Sequence, residues 1–306
     1  MNAIQLPKIA VLLAAYNGEK YIEQQITSIL SQECVHVDIF ISLDKSTDKT
    51  IDILKAIQKK TSRLTIFSHD ICFGSAGKNF YHLLENFNAE NYDFVALADQ
   101  DDLWHAEKLN RAATILMQQQ ADGYSSDITA YWPQTQNRAY IKKSQPQRKY
   151  DYLFESAGPG CTYVLTSEFF EEIQKFIVQK RNEINAIEAH DWLIYAYART
   201  HQKKWIIDHQ SHMLYTQHTA NVVGANKGLT AKIRRFHKIA NGEWITQVQR
   251  IYNATKNEKS EFLKNILNQE NIDYIILSKH SRELRRKYTE SLFLKFLFFY
   301  FYLFKK

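Results

Sequence analysis

The sequence predicts an α/β protein with a mostly parallel, doubly wound sheet, followed by a helical carboxy-terminal region. Three observations carry this. Apolar runs of strand length at residues 8–15 and 92–98 are the kind expected of parallel strands covered on both faces. Between them apolar residues recur at helical spacing, so strand and helix alternate through the first half of the chain. The second run ends in Asp99-Gln100-Asp101-Asp102-Leu103-Trp104, which puts carboxylates at the carboxyl edge of a buried strand, where open α/β sheets bind ligands.

The elements follow in order. Residues 8–15 form a first strand, broken at Tyr16-Asn17-Gly18. Tyr21, Ile22, Ile26, Ile29 and Leu30 give residues 19–32 a helical face, and residues 35–43 return to a β-branched strand pattern, completing one βαβ unit. Ser46 or Thr47 is expected to cap a helix through Ile51, Leu54 and Ile57, before a third strand at 64–67. Phe80, Leu83, Leu84 and Phe87 mark the helix that leads to the strand at 92–98, and residues 107–120 form another helix. The polar stretch 133–151 reads as a surface loop, Gly158-Pro159-Gly160 as a turn, 161–165 as a strand and 167–178 as a helix. Residues 192–198 continue as an apolar helix, 213–215 are strand-like, and the chain is expected to be wholly helical beyond Asn226.

Composition narrows the function classes. The 306 residues are 45% hydrophobic and 24% charged, enough for one large α/β domain with an appendage and unlike a disordered chain. Cys34, Cys72 and Cys161 are an odd, widely spaced set that fits neither a disulfide framework nor a zinc site and suits a reducing compartment. The first eight residues lack the pattern of a secretory signal. Residues 1–224 carry 22 basic and 26 acidic side chains, and residues 225–306 carry 17 and 7, so the positive charge belongs to the tail. No Gly-x-Gly-x-x-Gly follows the first strand, which excludes a dinucleotide-dependent oxidoreductase, and Gly74-x-x-Gly77-Lys78-Asn79 is not a P-loop.

Five segments in order resemble the family 2 glycosyltransferases of the GT-A fold, in particular bacterial rhamnosyltransferase-like enzymes of surface-polysaccharide assembly. Ala14-Ala15-Tyr16-Asn17-Gly18 is similar to the family's first strand end and loop, and Ser42-Leu43-Asp44-Lys45-Ser46-Thr47-Asp48 to its Asp-Asp-Gly-Ser-Thr-Asp segment. Asp99-Gln100-Asp101-Asp102 resembles its Asp-x-Asp motif, and His190-Asp191-Trp192 its catalytic-base motif. Residues 215–224 resemble its Tyr-x-Gln-His-x-x-Asn-x-x-Gly. The match covers residues 8–225 and implies a GT-A catalytic domain at 1–225, with 226–306 as a basic helical region. One departure stands out: Leu43 replaces the first of two aspartates and Lys45 the glycine, which bears on base and ribose contacts.

The resemblance implies an inverting, metal-dependent transfer of a sugar, rhamnose as first guess from a deoxythymidine-diphosphate donor, to a hydroxyl of a lipopolysaccharide, capsule or O-antigen intermediate. A departing nucleoside diphosphate needs its charge neutralised, and Mg²⁺ or Mn²⁺ held by carboxylate oxygens does that. Asp101 is the expected metal ligand, Asp99 a ligand or ribose contact, and His218 an approach to metal or diphosphate from the far wall. Ala14, Tyr16, Asn17, Asp44, Lys78, Asn79, Asp99 and Gln100 are expected around the donor, with Gln100 facing away from the ion. Asp191 is the expected general base, since direct displacement needs a carboxylate that takes the acceptor hydroxyl proton; a helix N-cap is its competing role. Trp104, Gly158, Gly160, His190 and Trp192 are expected on the acceptor side, with core packing the alternative for Trp192 and ordinary turn duty for the glycines. The runner-up function is a non-catalytic sugar-nucleotide or glycan-binding module.

Residues 292–304 carry a single charge and are too short to span a bilayer, which needs about 20 residues. With Arg282, Arg285, Arg286 and Lys287 before them and Lys305 and Lys306 behind, they suit an interfacial helix drawn to anionic headgroups. A lipid-linked acceptor on the cytoplasmic face of the inner membrane would make such docking useful. A terminal helix packed into the core, or a homodimer contact, is the alternative; nucleic acid is disfavoured by the phenylalanine-rich end.

Overall fold

The computed structural model describes residues 5–218, 242–256, 263, 267 and 272–304. The first half alternates as the periodicities require: β1 (Lys8–Ala15), α1 (Ile22–Leu30), β2 (His36–Leu43), α2 (Thr50–Gln58), β3 (Leu64–Ser68), α3 (Ala76–Asn86) and β4 (Phe94–Ala98). β1 lies between β2 and β4, and β2 beside β3, all parallel. Seven of the eight β1 residues are buried, which is why this strand is a continuous apolar run and not an alternating one.

After a two-residue strand β5 (Leu103–Trp104) and helix α4 (Lys108–Gln119) come β6 (Gly123–Ser126), β7 (Ile128–Trp132), β8 (Asn137–Ile141) and β9 (Val164–Thr166). The chain continues through α5 (Ser167–Gln179), α6 (Arg181–Ile184), α7 (His190–Thr200), β10 (Trp205–Asp208) and β11 (Met213–Thr216). The main sheet has seven strands in the order β10-β6-β9-β4-β1-β2-β3, and β9 alone among them runs antiparallel to both neighbours. A second sheet has the order β5-β11-β7-β8. The expected surface loop at 133–151 is corrected in part. β8 pairs with β7 in a hairpin, and its exposed Asn137, Arg138 and Tyr140 belong to a sheet edge with one wet face, which weakens any apolar signal.

The two faces of the main sheet hold separate cores. Ile22, Ile26, Ile29, Leu54, Leu109 and Leu116 cover one face. Phe80, Leu84, Phe169, Phe170, Leu193 and Ile194 cover the other, continuous with the carboxy-terminal helices α8 (Glu243–Thr255), α9 (Tyr274–Lys279), α10 (Ser281–Leu284) and α11 (Tyr288–Phe304) through Val248, Ile251, Leu284 and Phe298. The expected helical content of 226–241 and 257–262 lies outside the described residues, as do Lys305 and Lys306.

Arg285 and Arg286 are corrected. They are not headgroup contacts but buried ion-pair partners: Arg286 Nη1 lies 3.1 Å from Asp151 Oδ2, with both side chains fully buried, and Arg286 Nη2 lies 3.2 Å from Glu155 Oε2. Arg199 and the Tyr195 hydroxyl also reach Asp151, at 2.9 and 3.0 Å. Arg285 pairs with Glu290 and donates to the Phe154 carbonyl at 2.7 Å. Cations this far from water persist only because each finds several acceptors.

Candidate active site

The site is assembled at the carboxyl edge of β1, β2 and β4. Asn17 has φ 46°, a left-handed turn that asparagine tolerates. Its side chain accepts from the Thr47 amide at 2.8 Å, while its own amide donates to the Ser46 hydroxyl at 3.0 Å, lacing the loops after β1 and β2 together. The expected cap is corrected: α2 begins at Thr50, and Asp48 accepts from the Thr50 amide at 3.0 Å and from the Glu19 amide at 3.0 Å. Against the opposing effect of burial, bonds from Thr50 and Glu19 hold the Asp48 carboxyl below the usual range.

Gln100 serves as a clamp. It accepts from the Tyr16 amide at 2.9 Å and donates to the Tyr16 carbonyl at 2.8 Å, tying the Asp-rich loop to the loop after β1. Asp44 is buried and accepts from the backbone amides of Lys45 at 2.8 Å and Phe73 at 3.1 Å, so it orders the segment that leads to α3. Ala14 is a buried β1 residue paired with Ser42.

The acidic centre follows β4. Asp101 Oδ2 meets His218 Nε2 at 2.6 Å, and the His218 ring stacks on Tyr21 at 4.9 Å. Asp99, Asp102 and Cys161 bring ligand atoms within 4.8 Å of one another. Burial, then the charge of Asp101, and beyond it that of Asp191, push the Asp99 carboxyl up. Burial and the charges of Asp101 and Asp99 do the same to Asp102, against a hydrogen bond from Cys161; its Oδ1 accepts from the Thr216 amide at 3.2 Å. Burial and the charges of Asp102 and Asp99 raise the Cys161 thiol, so it stays protonated.

Asp191 stands in the first turn of α7, and Asp99 feels its charge. The two carboxylates are therefore near enough to repel each other. Burial pushes the Asp191 carboxyl up to about 6, against the Trp192 amide, Ser156 and the Lys143 charge; the Trp192 amide donates to Asp191 Oδ1 at 2.8 Å. His190 stacks on Phe80 at 4.1 Å, burial lowers it to about 3, and it is neutral at working pH. Its Nε2 is buried without a partner. α3 supports this segment from below, because a Cβ on Gly77 would collide with the Glu188 carbonyl.

Several expected contacts have other duties. Trp104 is 3% exposed beneath the Lys108 ammonium, 3.5 Å from its ring, so it is corrected from acceptor wall to core. Asn79 is also corrected: it is buried and donates to the Ser42 carbonyl at 3.1 Å, bracing β2. Lys78 is exposed at the start of α3, where Ser75 supplies the cap. Gly160 is buried against His190, and a Cβ there would lie 2.6 Å from His190 Nε2; close packing, not acceptor approach, explains this glycine. Gly158 is buried near Thr162 and the Ser126 carbonyl. Trp192 packs against the core and donates to the Tyr152 carbonyl at 2.9 Å. Residues 219–224 of the Tyr-x-Gln-His segment lie outside the described residues.

Sequence reasoning missed Tyr21, Cys161, Ser156 and Lys143. In sequence Tyr21 reads only as part of the apolar face of a helix, and Cys161 lies on the approach to β9, whose reversal brings its sulfur within 4.8 Å of an Asp99 oxygen.

The fold has counterparts of known structure. TarS from S. aureus (residues 1–349, in complex with UDP) superposes with a TM-score of 0.58 at 18% identity, covering 89% of this chain and 71% of that one. The mannosyltransferase PcManGT from Pyrobaculum calidifontis, in complex with GDP-Man and Mn²⁺, gives 0.53 at 16% identity, covering 87% and 70%. These likenesses establish the GT-A arrangement. In sequence, the dTDP-rhamnosyl transferase RfbG of Shigella flexneri is 40% identical over 283 residues, 92% of this chain and 97% of the relative. The sequence profile described as "Glycosyl transferase family 2" matches residues 10–170. With a glycosyltransferase relative aligned over nearly its whole length and the family profile matching more than half of the residues, the chain belongs to glycosyl transferase family 2.

Proposed function

We propose that this glycosyltransferase moves rhamnose from dTDP-rhamnose to a hydroxyl of a lipid-linked surface-glycan intermediate, with inversion at the anomeric carbon. The observation that carries the reading is the acidic cluster behind β4: Asp99 and Asp102 have ligand atoms within 4.8 Å of each other, Asp101 meets His218 at 2.6 Å, and the charge of Asp191 reaches Asp99. The donor rests on the 40% identity to a dTDP-rhamnosyl transferase. A non-catalytic module is not favoured by such a relative.

The donor set suits Mg²⁺ or Mn²⁺. Carboxylate oxygens dominate it, with Asp99 and Asp102 ligand atoms within 4.8 Å of each other, and hard cations take oxygen ligands. Asp101 and His218, with Asp99, would hold the ion, and the protonated Cys161 would not. When bound, such a cation neutralises the charge that develops on a leaving diphosphate. The stack on Tyr21 fixes the His218 ring, and the Gln100 clamp fixes the donor loop. Asp191 takes the acceptor hydroxyl proton at its carboxylate, and its raised pKa makes it a better base than an exposed aspartate. One base opposite one leaving group implies a single displacement, hence inversion.

The carboxy-terminal helix supports a place on the cytoplasmic face of the inner membrane. α11 buries Ser291, Leu294, Phe298 and Phe301 against the core, yet also exposes Phe293, Phe296, Phe299, Tyr300, Leu303 and Phe304, an outer apolar face of the kind that lies in a lipid interface. No helix among the described residues is long and apolar enough to cross a membrane. Lys279, Arg282, Lys287 and Lys295 are exposed cations around it among the described residues.

The test is donor turnover by the full chain with Mn²⁺ or Mg²⁺. dTDP-rhamnose is expected to be consumed, with loss in Asp101→Ala and Asp191→Ala, and the product should show the opposite anomeric configuration by NMR. Turnover of other donors in preference, or undiminished turnover in both variants, refutes the proposal.

A further inference from the structure

We propose a second metal site, separate from the acidic cleft, in which His105, Glu107 and His212 bind a Zn²⁺ ion. The three side chains come from different parts of the chain and place one ligand atom each within 4.8 Å of one another. The backbone fixes them. β5 and β11 pair antiparallel with Trp104 opposite Met213, and the next pair outward is His105 opposite His212, whose amide-to-carbonyl bond is 3.0 Å. Two histidines facing across an antiparallel pair bring their imidazoles to the same side. Glu107 follows as the residue preceding α4, and its Oε1 already lies 3.1 Å from His212 Nδ1.

This scaffold is held from outside the site as well. Gln32 Nε2 donates to the His105 carbonyl at 2.7 Å and the Glu33 amide to the Ala106 carbonyl at 2.9 Å. Gln210 Oε1 lies 3.2 Å from His212 Nε2, the outer partner that an imidazole ligand commonly keeps on its second nitrogen. Ligand bonds of about 2.0–2.1 Å in a tetrahedron set ligand atoms about 3.4 Å apart, so closure needs only a small rotation of His105 or Glu107. Glu107 is exposed and free to make it.

The donor chemistry separates this site from the catalytic one. Two imidazoles and one carboxylate select zinc over Mg²⁺ or Mn²⁺, and a fourth position is left for water. The location gives it a purpose. Asp101 and Asp102 immediately precede β5, and the Thr216–His218 segment ends β11, so an ion bridging His105 and His212 would staple together the two strands that deliver the Asp101–His218 contact.

The experiment uses tag-free, metal-stripped full-length protein with millimolar Mg²⁺ present, titrated with Zn²⁺ against a chromophoric chelator. One zinc per chain is expected with a Kd below about 10 µM, weakened at least about 100-fold in His105→Ala and His212→Ala and unchanged in Asp101→Asn. Co²⁺ bound in place of zinc should show the visible absorption of a four-coordinate site. If the histidine variants fail to fold, Glu107→Gln carries the test, since its side chain is exposed and its loss should weaken zinc about tenfold or more with the circular dichroism unchanged. Absence of stoichiometric zinc, unchanged binding in folded His105→Ala, His212→Ala or Glu107→Gln protein, or loss of binding in Asp101→Asn overturns the proposal.

Discussion

Replacing Asp191 by asparagine should stabilise the protein while disabling it. Burial moves the Asp191 carboxyl from 3.8 to about 6, so the native state holds this proton more tightly than the unfolded chain. For an acid shifted upward, the cost of ionisation in the folded state is absent below pH 3.8, grows between the two values, and is complete above about 6. It amounts to about 3 kcal/mol at pH 7.5, about 1.6 kcal/mol at pH 5 and about 0.6 kcal/mol at pH 4. Asparagine keeps an oxygen for the Trp192 amide, which Asp191 accepts at 2.8 Å, and avoids the charge. Urea unfolding of Asp191→Asn against the parent should therefore show a gain of at most about 3 kcal/mol at pH 7.5 that nearly vanishes at pH 4. In parallel, kcat/KM of the parent should rise with pH through about 6 and level off, while the variant loses about 10²–10⁴-fold. A variant no more stable than the parent at pH 7.5, or a parent profile flat between pH 5 and 8, would refute the reasoning.

Two further perturbations probe what holds the site. Arg286→Met strips one cation from a pair with Asp151 in which neither side chain is exposed, and urea unfolding should show a loss of about 3–5 kcal/mol; a change under about 1 kcal/mol would mean that Arg199 and Tyr195 neutralise Asp151 unaided. Gly160→Ala places a methyl 2.6 Å from His190 Nε2, and the ring is backed by Phe80 at 4.1 Å. Stability should fall by about 1–3 kcal/mol and kcat/KM by more than about tenfold; parent-like kinetics would show that α7 absorbs the intrusion without moving Asp191.

The central strands were legible because a strand covered on both faces has nowhere to put polar residues, and β1, β2 and β4 advertise this in sequence. The carboxylates of the site were legible because four polar or acidic residues directly after such a strand conflict with further burial. β6 and β10 were missed: Gly123-Tyr124-Ser125-Ser126 and Trp205-Ile206-Ile207-Asp208 are four residues each, and the serines of β6 are buried by packing that no local pattern announces. Trp205 fits against Gly123, a pairing set by parallel register across 82 positions. The arginines before α11 looked like surface charge because composition counts sign and not partners. Asp151, Glu155 and Glu290 turn two of them inward.

The reversal of β9 has a consequence for how this scaffold can diversify. A parallel strand in its place would deliver its last residues to the rim above β4 and force the next crossover to begin there; β9 instead enters from that rim and leaves at Thr166 on the opposite side. Residues 142–160, which supply Lys143 and Ser156 to the surroundings of Asp191, thus form an excursion that leaves the second sheet after β8 and returns to the main sheet at β9, beside β4. Changes of length or composition in that excursion can remodel the surroundings of Asp191 while the register of β1, β2 and β4 stays untouched.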